Sequence, residues 1–228
     1  MSARFYQELS EWWPLFSPPQ HYVEEVDDFL RRLAPLPPPG TRTLLELGSG
    51  GGSFASHLKR QFTLTLTDLS EGMLAQSRAV NPNAEHIAGD MRTLRLGREF
   101  DYVLVHDAVC YMTEQRDLQA AIDTAAIHCK HGGTVIVLPD FVKETFRPAT
   151  DNGGEDAPDG RGFLRGIAGA AVTFRQERVG QIVIAPQQFV PGFDLPLGPL
   201  GGDAGLRRRV VKVVLVVEAG PIDLVAAQ

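Results

Sequence analysis

The sequence predicts a doubly wound α/β fold, and three observations carry the prediction. Short, nearly continuous apolar runs alternate with segments of helical periodicity from Thr41 onward. A glycine cluster follows the first of these runs directly, in "LLELGSGGGSF" (44–54). Carboxylates stand at or near the ends of the first three runs, at Glu46, Asp68 and Asp90. Strands apolar on both sides need cover on both faces, which is the pattern of a mostly parallel sheet sandwiched by helices.

Residues 3–13 and 20–34 read as helices. In the second, Val23, Val26, Phe29, Leu30 and Leu33 fall on one stripe. "SPP" separates the two, and "APLPPPG" (34–40) is a stiff proline linker. The chain thus divides into an N-terminal helical cap with its linker (1–40), an α/β core (41–150), and a loop with strands completing the sheet (151–228). In the core, "RTLLEL" (42–47) is the first strand and "SFASHLKRQ" (53–61) the first helix. "FTLTLTD" (62–68) is the second strand, after which Ser70 N-caps a helix over "EGMLAQSRAV" (71–80). "AEHIAGD" (84–90) and "FDYVLVHD" (100–107) are the third and fourth strands. Thr113 caps the helix "EQRDLQAAIDTAAIHC", with residues 118, 121, 122 and 125 on one face, and "GGTVIVLPD" (132–140) is the fifth strand.

Beyond about residue 150 the texture changes. "TDNGGEDAPDGRG" (150–162) is turn-rich and predicts a mobile loop. "AVTFRQERVGQIVIAPQQFV" (171–190) and "RRRVVKVVLVVEAG" (207–220) read as strands. Two final antiparallel strands would bring the sheet to seven; the other reading of this region is a tail that packs poorly.

Composition narrows the function classes. At 228 residues, with 43% hydrophobic and 22% charged residues, the chain has the makeup of a soluble globular protein. No run approaches the roughly 18 uncharged apolar residues of a membrane helix, and "MSARFYQELSEWW" lacks the features of a secretory signal. A net charge of −6 argues against a nucleic-acid partner; the one dense basic run, "LRRRVVK" (206–212), reads as a solvated strand end. Cys110 and Cys129 have neither metal nor redox spacing, which predicts reduced thiols in a cytoplasm and no bound metal.

In open α/β sheets ligands sit beyond the carboxyl ends of the strands, where strand order reverses. Glycines there allow close approach of a ligand to the backbone, and amides at the next helix N-terminus point toward it. A plain strand-to-helix turn needs one or two glycines, whereas four occupy the positions from Gly48 to Gly52. The dinucleotide fingerprint G-x-G-x-x-G would want glycine where Ser53 stands. Glu46, two residues before the first glycine, is an awkward neighbour for a pyrophosphate and suits a cationic group. Asp68 lies where an acid commonly holds ribose hydroxyls, and Asp90 can accept from an exocyclic adenine amine.

These motifs resemble the class I S-adenosylmethionine-dependent methyltransferases. "LLELGSGGG" looks like their first motif, "LTLTDLSEGML" their second-strand acid region, "AGDMRTL" the adenine-side motif and "FDYVLVHDAVCYM" the fourth-strand motif. The resemblance covers about residues 42–147 and is greatest to small bacterial metabolite methyltransferases, amino-sugar N-methyltransferases among them. It implies a Rossmann-like fold and S-adenosyl-L-methionine as cofactor. It further implies that Glu46, Leu47, Gly48, Ser49, Gly50 and Gly52 line the methionine side. Asp68, Leu69 and Met73 would stand at the ribose, Asp90 and Met91 at the adenine, and the backbone from His106 to Ala108 at the sulfonium. Residues 163–228 depart from the aromatic-rich late strands such families tend to carry.

Methyl transfer from a sulfonium asks the protein mainly for alignment, with a base where the acceptor must lose a proton. His106, Asp107 and Tyr111 are the candidate catalytic residues. His106 is either that base or a packed strand residue, and Asp107 either holds the acceptor or orients the local backbone. The aromatic "EWWPLF", with Tyr6 and Tyr22, is a water-excluding lid or, through Trp12 and Trp13, a staple for the cap. "PDFVKETF" (139–146) lines the acceptor pocket or faces water. The sequence therefore predicts a cytoplasmic methyltransferase, monomeric or homodimeric, acting on an N or O atom of a sugar, amine or secondary metabolite. A cofactor-binding protein with a degenerate acceptor pocket is the alternative, and a nicotinamide-dependent oxidoreductase a third reading disfavoured by Ser53 and Glu46.

Overall fold

A computed structural model describes residues 4–33, 35–139, 150–156, 161–168, 171–176, 179–184 and 212–215. The N-terminal region is not the single helix expected over 3–13. It is a series of short pieces: α1 (Arg4–Gln7), a 3-10 turn (Ser10–Trp12), α2 (Trp13–Phe16) and a second 3-10 turn (Pro19–Tyr22). Pro14 and Pro19 each stand in the first turn of a new piece, where a missing N–H costs nothing, and so they break what periodicity alone would join. Helix α3 (Val23–Arg32) then runs for ten residues, with Glu24 and Glu25 in its first turn and Arg31 and Arg32 in its last, as the helix dipole favours. Its stripe starts one turn later than expected: Val23 is 45% exposed, while Val26 and Phe29 are buried.

Strands β1 (Arg42–Leu47) and β2 (Phe62–Asp68) fall where the sequence puts them, with α4 reduced to Ala55–Leu58 between them. Helix α5 (Glu71–Val80) is capped as expected, the Ser70 hydroxyl accepting from the Met73 N–H at 3.2 Å. Strands β3 (Glu85–Ala88) and β4 (Phe100–His106) follow. Helix α6 (Gln115–His128) takes Glu114 rather than Thr113 as its N-cap residue, without a side-chain cap bond. Strand β5 starts at Cys129, three residues before the expected glycine pair, and ends at Leu138.

Among the described residues the main sheet has six strands rather than seven, in the order β10-β5-β4-β1-β2-β3, all parallel. Here β10 (Lys212–Leu215) is the valine-rich run, and it lies parallel to β5 where an antiparallel strand was expected. An apolar run carries no sign of its own direction; the chain leading to it sets that. The predicted loop over 150–162 is a strand at its start, β6 (Thr150–Asp156). It pairs antiparallel with β7 (Arg161–Ala168), and β8 (Ala171–Gln176) and β9 (Val179–Ile184) complete a four-stranded antiparallel sheet. Ladder bonds come from backbone groups, so the Gly- and Asp-rich composition of β6 hides a pairing that β7 supplies.

Alternation along the strands sorts the core into two layers. Leu44, Leu64, Leu66, Leu104 and Ile136 face one side, with Phe54, Leu58 and, from α3, Val26 and Phe29. Leu45, Leu47, Val103, Val105, Val135 and Val137 face the other, with Ala125 and Cys129. The order reverses at β1, whose neighbours are β2 and β4, so the crevice lies beyond the carboxyl ends of β1 and β4.

Candidate active site

The glycine loop is built by backbone conformation. Gly48, Gly50 and Gly52 all hold φ between +54° and +77°, the left-handed region that costs a Cβ-bearing residue about 1–2 kcal/mol. Gly51 is needed for a different reason. A Cβ there would collide with Trp13 Cδ1 and Nε1, so the indole is seated against the loop's backbone. Asp68 braces the loop from β2: its Oδ2 accepts from the Gly50 N–H at 2.9 Å and its Oδ1 from the Ser70 N–H at 2.8 Å. Burial raises the Asp68 pKa, against those backbone hydrogen bonds, which favour the ionised form. Ser53, which occupies the fingerprint's third-glycine position, donates to the Ser17 carbonyl at 2.5 Å and ties the loop to the N-terminal region.

Glu46 is the most unusual group here. It is 1% exposed, and its Oε2 has no hydrogen-bond partner. Burial pushes its carboxyl up to about 7; the nearby His106 works against this, while Asp107, Asp68 and Glu25 add to it. A buried carboxylate oxygen left unpaired costs several times what a paired one does, unless a cation or donor meets it. Ser49 Oγ is likewise buried and without a partner.

Beyond β4, His106 is 8% exposed and lies flat on Phe54, the ring centroids 4.0 Å apart. Tyr22 meets it edge-on at 5.9 Å. Its Nε2 is 2.7 Å from Glu25 Oε1 and 3.5 Å from Asp107 Oδ2. Burial disfavours the charged ring, but the Glu25 hydrogen bond and the charges of Asp107, Glu25 and Glu46 outweigh it and raise the His106 pKa. Asp107 is the sole non-glycine residue with positive φ (48°) among those described, held by its N–H to the Leu138 carbonyl at 2.8 Å. Asp is tolerated in that region, and such strain concentrates at working sites.

An aromatic cluster covers the loop. Tyr6 packs on Trp13 and on Tyr111, with centroids 6.1 and 5.8 Å apart, and Trp13 on Phe16 at 5.7 Å. The Tyr6 and Tyr111 hydroxyls share a hydrogen bond. Trp12, by contrast, is buried in the core. Ser70 Oγ donates to the Tyr6 carbonyl at 2.6 Å, which clips this cover to the start of α5.

Not every candidate turns its side chain toward the crevice. Leu47 belongs to the core layer on the α6 side, and Met73 is fully buried beneath Gly50, so Leu47 can offer a ligand only its backbone. Leu69 is 69% exposed. Asp90 is gripped by Arg92, whose Nε lies 2.9 Å from Oδ1 and whose second guanidinium nitrogen lies 2.5 Å from Oδ2; Arg92 also reaches Asp117 at 2.9 Å. Those Arg92 hydrogen bonds, against a weaker effect of burial, hold the Asp90 carboxyl low. Met91 approaches Gly48, where a Cβ would meet its Cε and the Ala108 Cβ at 2.7 Å. Glu25 and Arg92 were missed in the sequence. The signal for Glu25 was its place between Tyr22 and Phe29 at helical spacing, an acid on an apolar face. The stretch after Pro139 that was expected to line an acceptor pocket lies outside the described residues, as do Lys143 and most of residues 185–228. Among the described residues no cluster suited to a metal occurs, and no helix is long and apolar enough to cross a membrane.

A glycine loop at the switch point of a parallel sheet, with acids at successive strand ends, defines a nucleoside-binding α/β domain. Residues 44–133 match the family model described as a methyltransferase domain, and the parallel sheet that holds them is of the Rossmann-like type. The chain is 35% identical over 129 residues to the dTDP-3-amino-3,4,6-trideoxy-alpha-D-glucopyranose N,N-dimethyltransferase of Streptomyces venezuelae, covering 56% of this chain and 54% of that protein. It is 36% identical over 112 residues to the dTDP-3-amino-3,6-dideoxy-alpha-D-glucopyranose N,N-dimethyltransferase of Streptomyces fradiae, covering 48% and 44%. The match thus spans about half the length of these curated relatives. Among solved structures, Streptomyces venezuelae DesVI superposes with a TM-score of 0.61 at 28% identity, over 75% of this chain and 78% of that one. The SAM-bound amino pentose methyltransferase of Micromonospora echinaspora superposes with a TM-score of 0.59 at 25% identity, over 75% and 77%.

Proposed function

We propose that the protein is an S-adenosylmethionine-dependent methyltransferase acting on the amino nitrogen of a small sugar. The carrying observation is Glu46: a buried carboxylate with an unpaired oxygen, at the mouth of a glycine loop, fits a cationic ligand and repels a diphosphate. The names of the curated relatives support the amino-sugar acceptor.

When bound, the cofactor supplies an activated methyl group on a positively charged sulfur. The residues that would hold it are Glu46, Ser49 and the backbone of Leu47, Gly48, Gly50 and Gly52 on the methionine side. Asp68 and Leu69 would hold the ribose, with Met73 as the floor under Gly50, and Asp90 and Met91 the adenine. Asp68 keeps acceptor capacity after its two backbone bonds, since a carboxylate offers about four lone-pair positions. Trp13, Tyr6 and Tyr111 shield the loop from water, and aromatic faces there favour a cation. His106, Asp107 and Tyr111 stand on the acceptor side, His106 as the group that takes up a proton.

Isothermal titration calorimetry with S-adenosylmethionine tests this. Gly50→Val and Asp68→Ala are expected to abolish binding that the parent chain shows. Unchanged affinity in both variants would remove the premise. Radiolabelled methyl transfer to a dTDP-3-amino-deoxyhexose then tests the acceptor.

A further inference from the structure

We propose that Glu25 is a positioning residue of this site: its carboxylate grips Nε2 of His106 and leaves Nδ1 as the ring nitrogen available to the methyl acceptor. The proposal rests on the methyltransferase reading for its acceptor, but its geometry stands independently. Glu25 lies on α3 and His106 at the end of β4, 81 residues apart in sequence, with Oε1 and Nε2 at 2.7 Å. The ring cannot turn freely. Phe54 stacks on it at 4.0 Å with 24° between planes, and Tyr22 meets it edge-on. No hydrogen bond to Nδ1 occurs among the described residues, and Nδ1 is not among the fully buried unpaired atoms.

An imidazole whose one nitrogen is committed to a carboxylate has its tautomer fixed, and the other nitrogen becomes the base. Here the Nε2–H is donated to Glu25, so the proton lost by an ammonium acceptor goes to Nδ1. The imidazolium so formed keeps its bond to Glu25. The charged and titratable groups facing the ring are Glu25 from α3, Tyr22 from the preceding 3-10 turn, Glu46 from β1 and Asp107 from its own strand end. The carboxylates among these favour the cation, and Glu25 alone touches Nε2 within hydrogen-bond range.

The test uses the full chain with 15N-labelled histidine, His106 being assigned by comparison with His106→Asn. In Glu25→Gln, where size is kept and charge lost, the His106 NMR titration is expected to fall by about one pH unit or more. The acceptor-saturated rate is expected to drop at least about tenfold with the acceptor KM within about twofold. Glu25→Asp is expected to restore part of both. A folded Glu25→Gln variant with an unmoved His106 titration overturns the proposal, whatever the cofactor does. So does an unchanged rate. Failure of the parent chain to bind S-adenosylmethionine, with the titration shift intact, overturns instead the methyltransferase reading and with it the role of Nδ1 toward the acceptor.

Discussion

Glu46→Gln should make stability less dependent on pH while it weakens cofactor binding. The parent carboxyl moves from 4.5 to about 7 on folding because it is buried beside other acids. At about 1.4 kcal/mol per pH unit, this amounts to roughly 3 kcal/mol. Its direction follows from linkage: between these values the folded state holds the proton that the unfolded state releases, so stability falls as pH rises through the window. Above about pH 7 the whole cost is present, and below 4.5 none of it is. Gln keeps the shape and cannot ionise, so the fall between pH 4.5 and 7.5 should shrink by up to about 3 kcal/mol relative to the parent. His106, whose raised pKa lends stability below its unfolded value that is lost as pH rises, also contributes a falling slope. The part of that slope owed to Glu25 and Asp107 is common to parent and variant and cancels in the difference, whereas the part owed to the Glu46 charge is lost with it. The assay is urea unfolding at several pH values, paired with calorimetric titration of S-adenosylmethionine. Affinity should drop about 10- to 100-fold, as for loss of a charged hydrogen bond of about 1.5–3 kcal/mol. Parallel stability curves for parent and variant, or undiminished affinity, would refute the assignment of Glu46 as a strained carboxylate awaiting a cation.

Gly48→Ala should destabilise the fold by about 2–4 kcal/mol in urea unfolding, from a left-handed φ of +77° together with overpacking against Ala108 and Met91. Arg92→Ala should cost under about 1 kcal/mol at pH 7, because the pair is part exposed. That cost should be constant above the ordinary Asp value and fade only below it, vanishing once the pH has fallen through the lowered Asp90 pKa, since the pair's contribution is lost as Asp90 protonates in the folded state. A gap that does not narrow at all as the pH is taken down through the acid range would mean Arg92 acts through packing instead.

Several parts of the site were legible from local pattern because local physics makes them. The glycine loop is required by backbone conformation over five residues, and the Ser70 cap satisfies an amide three residues on. Asp68 was legible in place but only partly in role. Its position at a strand end is a sequence property, whereas its two bonds to Gly50 and Ser70 arise from how the loop folds back. Asp90 shows the same limit, since the Arg92 grip depends on side-chain reach that spacing does not encode.

The sequence by itself determined the alternation of strands and helices, the loop's backbone and the acids beside it, because apolar periodicity and φ preferences act between near neighbours. Tertiary structure alone decided that Glu25 reaches His106 across 81 residues, that Trp13 seats on Gly51, that 150–156 pairs as a strand and that β10 runs parallel to β5. Those contacts join segments distant along the chain, and their partners are fixed only once the sheet and its covering helices have packed.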